Sequence, residues 1–426
     1  MDVELEILTN GMEGEGIARF DGKVCFVENA IEGEIVLASK EKQGKNFNRY
    51  KTVSIIKKSA NRIVPKCPYF NDCGGCSMQH ISYDKTLEIK RQNIINLLAK
   101  TKLNTNVENV IKSPREYNYR NKISMYKTPN NTLGFFQKNS KNIIPINNCE
   151  LAEKPINKLI KILNNYLLTN IDFALYLKGI SIRYIDEIFI INLVLNKKIN
   201  LDNFEKYLKV NKINYSLYFC INNNSNIPTY PLFFVGGRSE VYACEFDIKY
   251  PVYPMSFLQV NSEVKTLLYN EVLNNIKEEC FVIDAYAGAG LLSAMISKRA
   301  KEVFAVEIDE QANKASQSLC VLNRINDMES ILGDCAKVIP NIIKNNDIDT
   351  CVLDPARRGV DNGILEAIIN GKIAKVIYIS CNPATLVRDL KVLCDGGFEI
   401  KYIQPFDMFP WTSEVEAMAI LERVKD

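Results

Sequence analysis

The sequence predicts an α/β protein whose C-terminal part is a doubly wound parallel sheet. A small β-barrel of the OB type and a mixed α+β segment precede it. Three observations carry this expectation. From about residue 251, strand-like apolar runs at 281–285, 303–307, 329–333, 350–354 and 375–380 alternate with helical segments. That alternation is the pattern of a parallel sheet covered by helices. Residues 1–58 instead hold five short runs separated by Gly, Asn and Asp turns, which suits a small barrel. Between them the chain mixes both patterns without an internal repeat. The expected domains are therefore 1–58, 59–250 and 251–426.

The barrel runs are "VELEIL", "GEGIARF", "KVCFVEN", "GEIVLASKEK" and "YKTVSIIKK". Charge is uneven here: residues 1–36 carry nine acids against two bases, and residues 40–66 carry nine bases against one acid. A basic stripe that includes Phe47 and Tyr50 suits a phosphate-binding surface. Next comes Cys67-x5-Cys73-x2-Cys76, with Gly74 and Gly75 admitting close backbone approach. Three such cysteines need a fourth ligand, which His80 or the distant Cys149 could supply. Spacing alone admits zinc or a four-iron cluster. A helix is expected from Tyr83 to Ala99, and "ISIRYI" with "IFIINLVL" around Asp186-Glu187 predicts a hairpin.

Composition excludes several classes. The chain has 426 residues, 47% hydrophobic and 24% charged, which is ordinary for globular domains. The N-terminus lacks the basic and apolar regions of a secretion signal, and no run of 18 apolar residues is present. The expectation is a soluble, cytoplasmic protein with no membrane partner. There, thirteen cysteines argue for ligation, catalysis or burial, not for disulfides. His80 is the only histidine, so proton transfer elsewhere must use Asp, Glu, Lys, Tyr or Cys.

The C-terminal motifs fall at expected strand ends. "VIDAYAGAGLLS" places Gly288 and Gly290 at a strand-to-helix turn, where backbone can approach a ligand. Glu307 ends the next strand, nineteen residues after Gly288, placed to accept from ribose hydroxyls. NAD, FAD or S-adenosylmethionine would all suit this pattern. Asp334 follows the third strand, within reach of an adenine amino group. Asp354-Pro355 in "CVLDPARRG" ends the fourth strand, at the sheet edge where ligands bind. Ala356-Arg357 stand where amino-group methyltransferases place an aromatic ring. In "YISCNPATLVRDL" a buried strand hands Cys381 to a helix N-terminus capped by Asn382, with Pro383 at the first position. The helix end is expected to favour thiolate there. A phosphatase loop is excluded, because Arg388 follows Cys381 after six residues. Glu416 sits in the apolar run "VEAMAIL", where a carboxylate needs a partner or a function.

Together these segments resemble the RNA 5-methyluridine methyltransferase family, specifically its 23S rRNA branch. The resemblance spans "GEGIARFDGKVCFVENAIEGEIV", "CPYFNDCGGCSMQH", "YRNKISM", "SFLQVN", "DAYAGAG", "VEID", "LDPARRG", "SCNPATLVRD" and "DMFPWTSEVE", in that order. It implies a TRAM domain at 1–58 and a class I methyltransferase sheet from 251. It also implies an iron–sulfur central domain with a [4Fe–4S] cluster on Cys67, Cys73, Cys76 and Cys149. By position, Gln259, Tyr286, Glu307 and Asp354 would line the S-adenosylmethionine site, with Asp334 near the adenine. Cys381 would be the nucleophile and Glu416 the base. The implied partner is RNA, expected to be 23S rRNA bound by a monomer, with the uridine flipped out of its stack. Trp411 and Glu414 depart from the family, which usually has His at the first and often at the second. Two rival readings are the same chemistry on tRNA and a nonenzymatic RNA-binding iron–sulfur protein.

Overall fold

A seven-stranded sheet organises the C-terminal part of the computed structural model, which describes residues 2–424. Its strands are β1 (Phe281–Ala285), β2 (Glu302–Glu307), β3 (Met328–Leu332), β4 (Thr350–Leu353), β5 (Lys375–Ser380), β6 (Phe398–Phe406) and β7 (Glu416–Arg423). They lie in the order β3-β2-β1-β4-β5-β7-β6. The first five are parallel, as the alternation predicts, and their ends fall within about a residue of the expected runs. After β5 the alternation stops, because β7 returns antiparallel between β5 and β6.

Both faces of this sheet are buried, which explains strands that are apolar at nearly every position. Ile283, Val306, Leu353 and Tyr378 face one core, while Val282, Ala305, Val352 and Ile379 face the other. Parts of both covers come from earlier in the chain. The helix Tyr83–Lys100 sends Ile94 and Leu98 into the first core. The hairpin Tyr242–Glu245/Ile248–Pro251 sends Ala243 and Tyr250 into the second.

The N-terminal unit is a six-stranded sheet with its own core around Ala18, Cys25, Val27 and Tyr50. The five expected strands are present, with a two-residue strand Thr9–Asn10 added at one edge. The central unit is a seven-stranded sheet backed by the helix Lys154–Thr169. Its Asp186-Glu187 hairpin forms as expected, with Ile185 opposite Ile188. Both turn residues adopt positive φ (45° and 61°), the two-residue geometry that matches strand twist. Among the described residues, no helix is long and apolar enough to cross a membrane.

Candidate functional site

The carboxyl ends of β1, β2, β4 and β5 gather most of the expected site residues on one edge of the sheet. After β1, the chain turns through Tyr286 (φ 66°), Gly288 (φ 57°) and Gly290 (φ 79°) into the helix Leu291–Ile296. A Cβ on Gly290 would stand 2.4 Å from the Ser316 hydroxyl, so close packing requires glycine there. At Gly288 the same position is open space, leaving the backbone accessible to a ligand. The Glu307 carboxylate accepts from the backbone N–H groups of Gly288 (2.9 Å) and Asp309 (2.8 Å), which fixes it at this turn. Gln259 is buried just before the helix Ser262–Asn274. Asp334 takes a structural role that its position did not announce: its side chain caps the helix Cys335–Asn345 by accepting from Ala336 N–H (3.1 Å).

Sequence reasoning passed over Asp284. It is fully buried in β1, accepts from the Ser293 hydroxyl (2.5 Å), and burial pushes its pKa up to about 7. The available signal was an acid inside an otherwise apolar strand, the criterion that picked out Glu416.

The strand register brings Cys381 and Glu416 together. Ser380 pairs with Ala417, so one further step along β5 sets Cys381 opposite Glu416 at the start of β7. Asp354 follows β4, the other neighbour of β5. Glu416 is buried, and desolvation, then the charges of Asp354 and Glu414, hold its carboxyl well above the usual range. Burial, with Asp284 as a secondary cause, also raises Asp354. At Cys381 burial opposes the thiolate that the helix end is expected to favour. Burial, followed by the Glu416 charge, pushes its pKa up to about 11, and Arg357 pulls the other way. Desolvation is the largest of these influences.

A second set of bonds ties the Arg357 loop to Cys381. Asn382 caps the helix Pro383–Asp395 through Ala384 N–H (3.1 Å) and donates to the Arg357 carbonyl (2.9 Å). Arg388 donates to the Arg358 carbonyl (3.0 Å), and Asp389 accepts from Tyr378 and from Val360 N–H. The Arg357 guanidinium itself pairs with Glu414 at 3.2 Å.

The four expected metal-binding cysteines share one place. Cys67, Cys73, Cys76 and Cys149 all line a cavity of about 440 Å³ between the cysteine-rich loop and the central sheet. His80 does not line it; the ring packs at a tilt against Phe70 (5.4 Å), and burial lowers its pKa to about 3. Gln79 donates to the Cys76 sulfur (3.3 Å) and Gly75 N–H donates to that of Cys73 (3.4 Å). Burial pushes the Cys73 thiol up to about 11 and that of Cys76 up to about 12. Among the described residues, no three His, Cys, Asp or Glu are grouped to hold a metal ion. The iron–sulfur centre implied by resemblance is therefore not supported there, although all four thiols line one cavity. A soft, all-sulfur donor set around such a space suits a thiolate-bound cluster by its chemistry.

Strand order, glycine turn and N-terminal sheet together define a class I methyltransferase carrying a TRAM domain. A family model described as tRNA (Uracil-5-)-methyltransferase matches residues 82–424, and a TRAM domain model matches residues 1–38. The chain belongs to this family of S-adenosylmethionine-dependent RNA uracil-5 methyltransferases. An uncharacterized RNA methyltransferase of Clostridium tetani is 32% identical, over 98% of this chain and 95% of its own length. One from Lactobacillus johnsonii is 33% identical, over 99% and 98%. Among solved structures, the Pyrococcus abyssi tRNA (uracil-54, C5)-methyltransferase in complex with S-adenosyl-L-homocysteine shares the fold. It has a TM-score of 0.79 and 24% identity, over 98% of this chain and 99% of that one.

Proposed function

We propose that this protein methylates C5 of uridine in 23S rRNA through a covalent adduct between Cys381 and C6 of the base. The observation that carries the reading is the β5–β7 register, which sets a thiol opposite a buried carboxyl. C5 of uracil is a weak nucleophile. Addition of the Cys381 thiolate to C6 makes C5 enolate-like, so that it can take a methyl group. S-Adenosylmethionine supplies that methyl group on a positively charged sulfonium. Gln259, Tyr286, Glu307 and Asp354 would line its site, with Asp334 near the adenine; the open space at Gly288 fits such a ligand. Glu416 then accepts the C5 proton, the C6–S bond breaks, and its electrons return to sulfur.

Burial, then the charges of Asp354 and Glu414, raise the Glu416 carboxyl well above its usual range and so oppose its ionisation. It must be ionised to serve as the base, and added positive charge at the site favours this. Cys67, Cys73, Cys76 and Cys149 would hold a [4Fe–4S] cluster. The TRAM domain and the basic stripe would bind surrounding RNA through phosphates and stacking.

The same chemistry on tRNA is the second reading, favoured by the tRNA (Uracil-5-)-methyltransferase family model that matches residues 82–424. Mass mapping of 5-methyluridine in rRNA and tRNA, with and without the gene, separates the two. Loss confined to tRNA sinks the rRNA assignment. Cys381→Ala should lower methylation by about 10⁴-fold or more, with no covalent complex on denaturing gels. A Cys381→Ala protein that still forms the complex would refute the nucleophile.

A further inference from the structure

The segment that leads into Glu416 is held in an unusual way. Residues 407–415 join β6 to β7, and four consecutive carbonyls in this loop accept hydrogen bonds from four separate parts of the chain. Met408 O accepts from Asn261 (3.4 Å), Phe409 O from Lys90 (3.0 Å) and Pro410 O from the Tyr119 hydroxyl (3.2 Å). Trp411 O accepts from Ser77 N–H (3.2 Å) and Met78 N–H (3.1 Å), immediately after Cys76. The Trp411 ring is buried against Tyr83 and Tyr117, in a cluster with Tyr119 and Leu151 that Cys76 and Cys149 also pack against. Its backbone adopts φ 66°, a conformation that a bulky residue keeps only where its surroundings over-determine it.

We propose that Trp411 is a positioning residue for Glu416, pinning the loop before the base to the cysteine-bearing segment so that the state of the cysteine cavity reaches the sheet-edge site. The proposal rests on Glu416 being the base. It predicts which step fails when the pin is loosened. Cys381 sits between β5 and the helix Pro383–Asp395, outside this loop, so addition and methyl transfer should proceed. Proton removal depends on where the loop leaves Glu416, so release of the product should slow.

The experiment uses the full-length protein, methyl-labelled S-adenosylmethionine and rRNA from cells lacking the gene. A second RNA is substituted with 5-fluorouridine, whose C5 has no proton to remove. On that RNA, Trp411→Ala should form the adduct at nearly the wild-type rate. On ordinary RNA its adduct should persist, with release slowed by about 10²-fold, the size expected for a catalytic group misplaced by about an ångström. Trp411→Phe keeps the ring packing and should restore release. Tyr119→Phe removes one loop bond and should slow release about fivefold without altering adduct formation; it answers the question even if Trp411→Ala does not fold. Trp411 is the only tryptophan in the chain, so its emission reports on this loop directly. That emission should shift in Cys149→Ser.

Glu416→Gln keeps the two readings apart. If it gives no persistent adduct, the assignment of the base fails, whatever Trp411 does. If it does trap the adduct while Trp411→Ala and Tyr119→Phe release product at the wild-type rate, the positioning role is overturned. Equal loss of adduct on both RNAs in Trp411→Ala also overturns it, as does unchanged emission in Cys149→Ser for the link to the cavity.

Discussion

The sheet edge and the cysteine cavity both hold thiols, and they hold them by opposite means. Cys381 is placed by backbone register, at the end of a strand whose neighbours carry Glu416 and Asp354. The four cavity cysteines sit on loops, placed by packing and by bonds to Gln79 and Asn157. Burial raises the thiols in both places, to about 11 for Cys381 and about 12 for Cys76. At the sheet edge the opposing influence is a cation, Arg357. In the cavity Arg120 opposes burial at Cys149, and hydrogen bonds from Gly75 and Gln79 oppose it at Cys73 and Cys76.

The sharpest way to break this contrast is to empty the cavity. Protein purified without oxygen should carry about four irons, the complement expected for four cysteine ligands. Cys149→Ser should lose most of them. Tight zinc without iron in the wild-type protein would show that the cavity had been misread.

A large effect on stability is expected at the boundary between the regions. Lys90 and Asp407 form a fully buried ion pair (2.5 Å), and Tyr83 also donates to Asp407 (2.7 Å). Removing the cation alone leaves a buried carboxylate short of a partner. Lys90→Met should cost about 3–5 kcal/mol in denaturant unfolding, and adding Asp407→Leu should recover much of it. No recovery in the double variant would mean that the bonds to Phe409 and Tyr83 dominate.

The two regions also differed in how far the sequence disclosed them. The parallel strands were legible because burial on both faces leaves uninterrupted apolar runs, and their ends located Glu307, Asp354 and Cys381. The antiparallel return of β7 was not, since nothing local in "VEAMAIL" states its direction. The Lys90–Asp407 pair joins residues 317 apart, and Lys90 lies in a helix between Ile89 and Arg91, where nothing local names its partner. The burial that opposes thiolate at Cys381 was hidden for a related reason. The helix end is visible in sequence, but the buried carboxyls come from strands 27 residues before and 35 after it.

The basic stripe offers a smaller effect. Lys45, Arg49 and Lys51 are exposed, and Arg49 stacks over Phe26 (5.6 Å). Neutralising all three should weaken RNA binding and lower the salt slope by up to about two, at roughly 0.7 per lost single-strand contact. Unchanged affinity and slope would make the stripe a solvated face.

The smallest expected effect concerns the one cation that opposes burial at Cys381. Adduct formation needs thiolate, so its rate should rise with pH towards the thiol pKa. Arg357 stabilises the thiolate, and losing it raises that pKa. Arg357→Ala should therefore move the rising limb to higher pH. Its side chain is 68% exposed, so solvent screening should keep the move below about one pH unit. Glu414→Gln should act in the opposite sense, because it frees Arg357 from its partner and removes a negative charge near the site. Adduct formation on 5-fluorouridine RNA across pH 7–10 isolates this step from proton removal by Glu416. Limbs that move in the same direction in both variants would show that Arg357 acts through the Asn382 contact to its backbone and not through its charge.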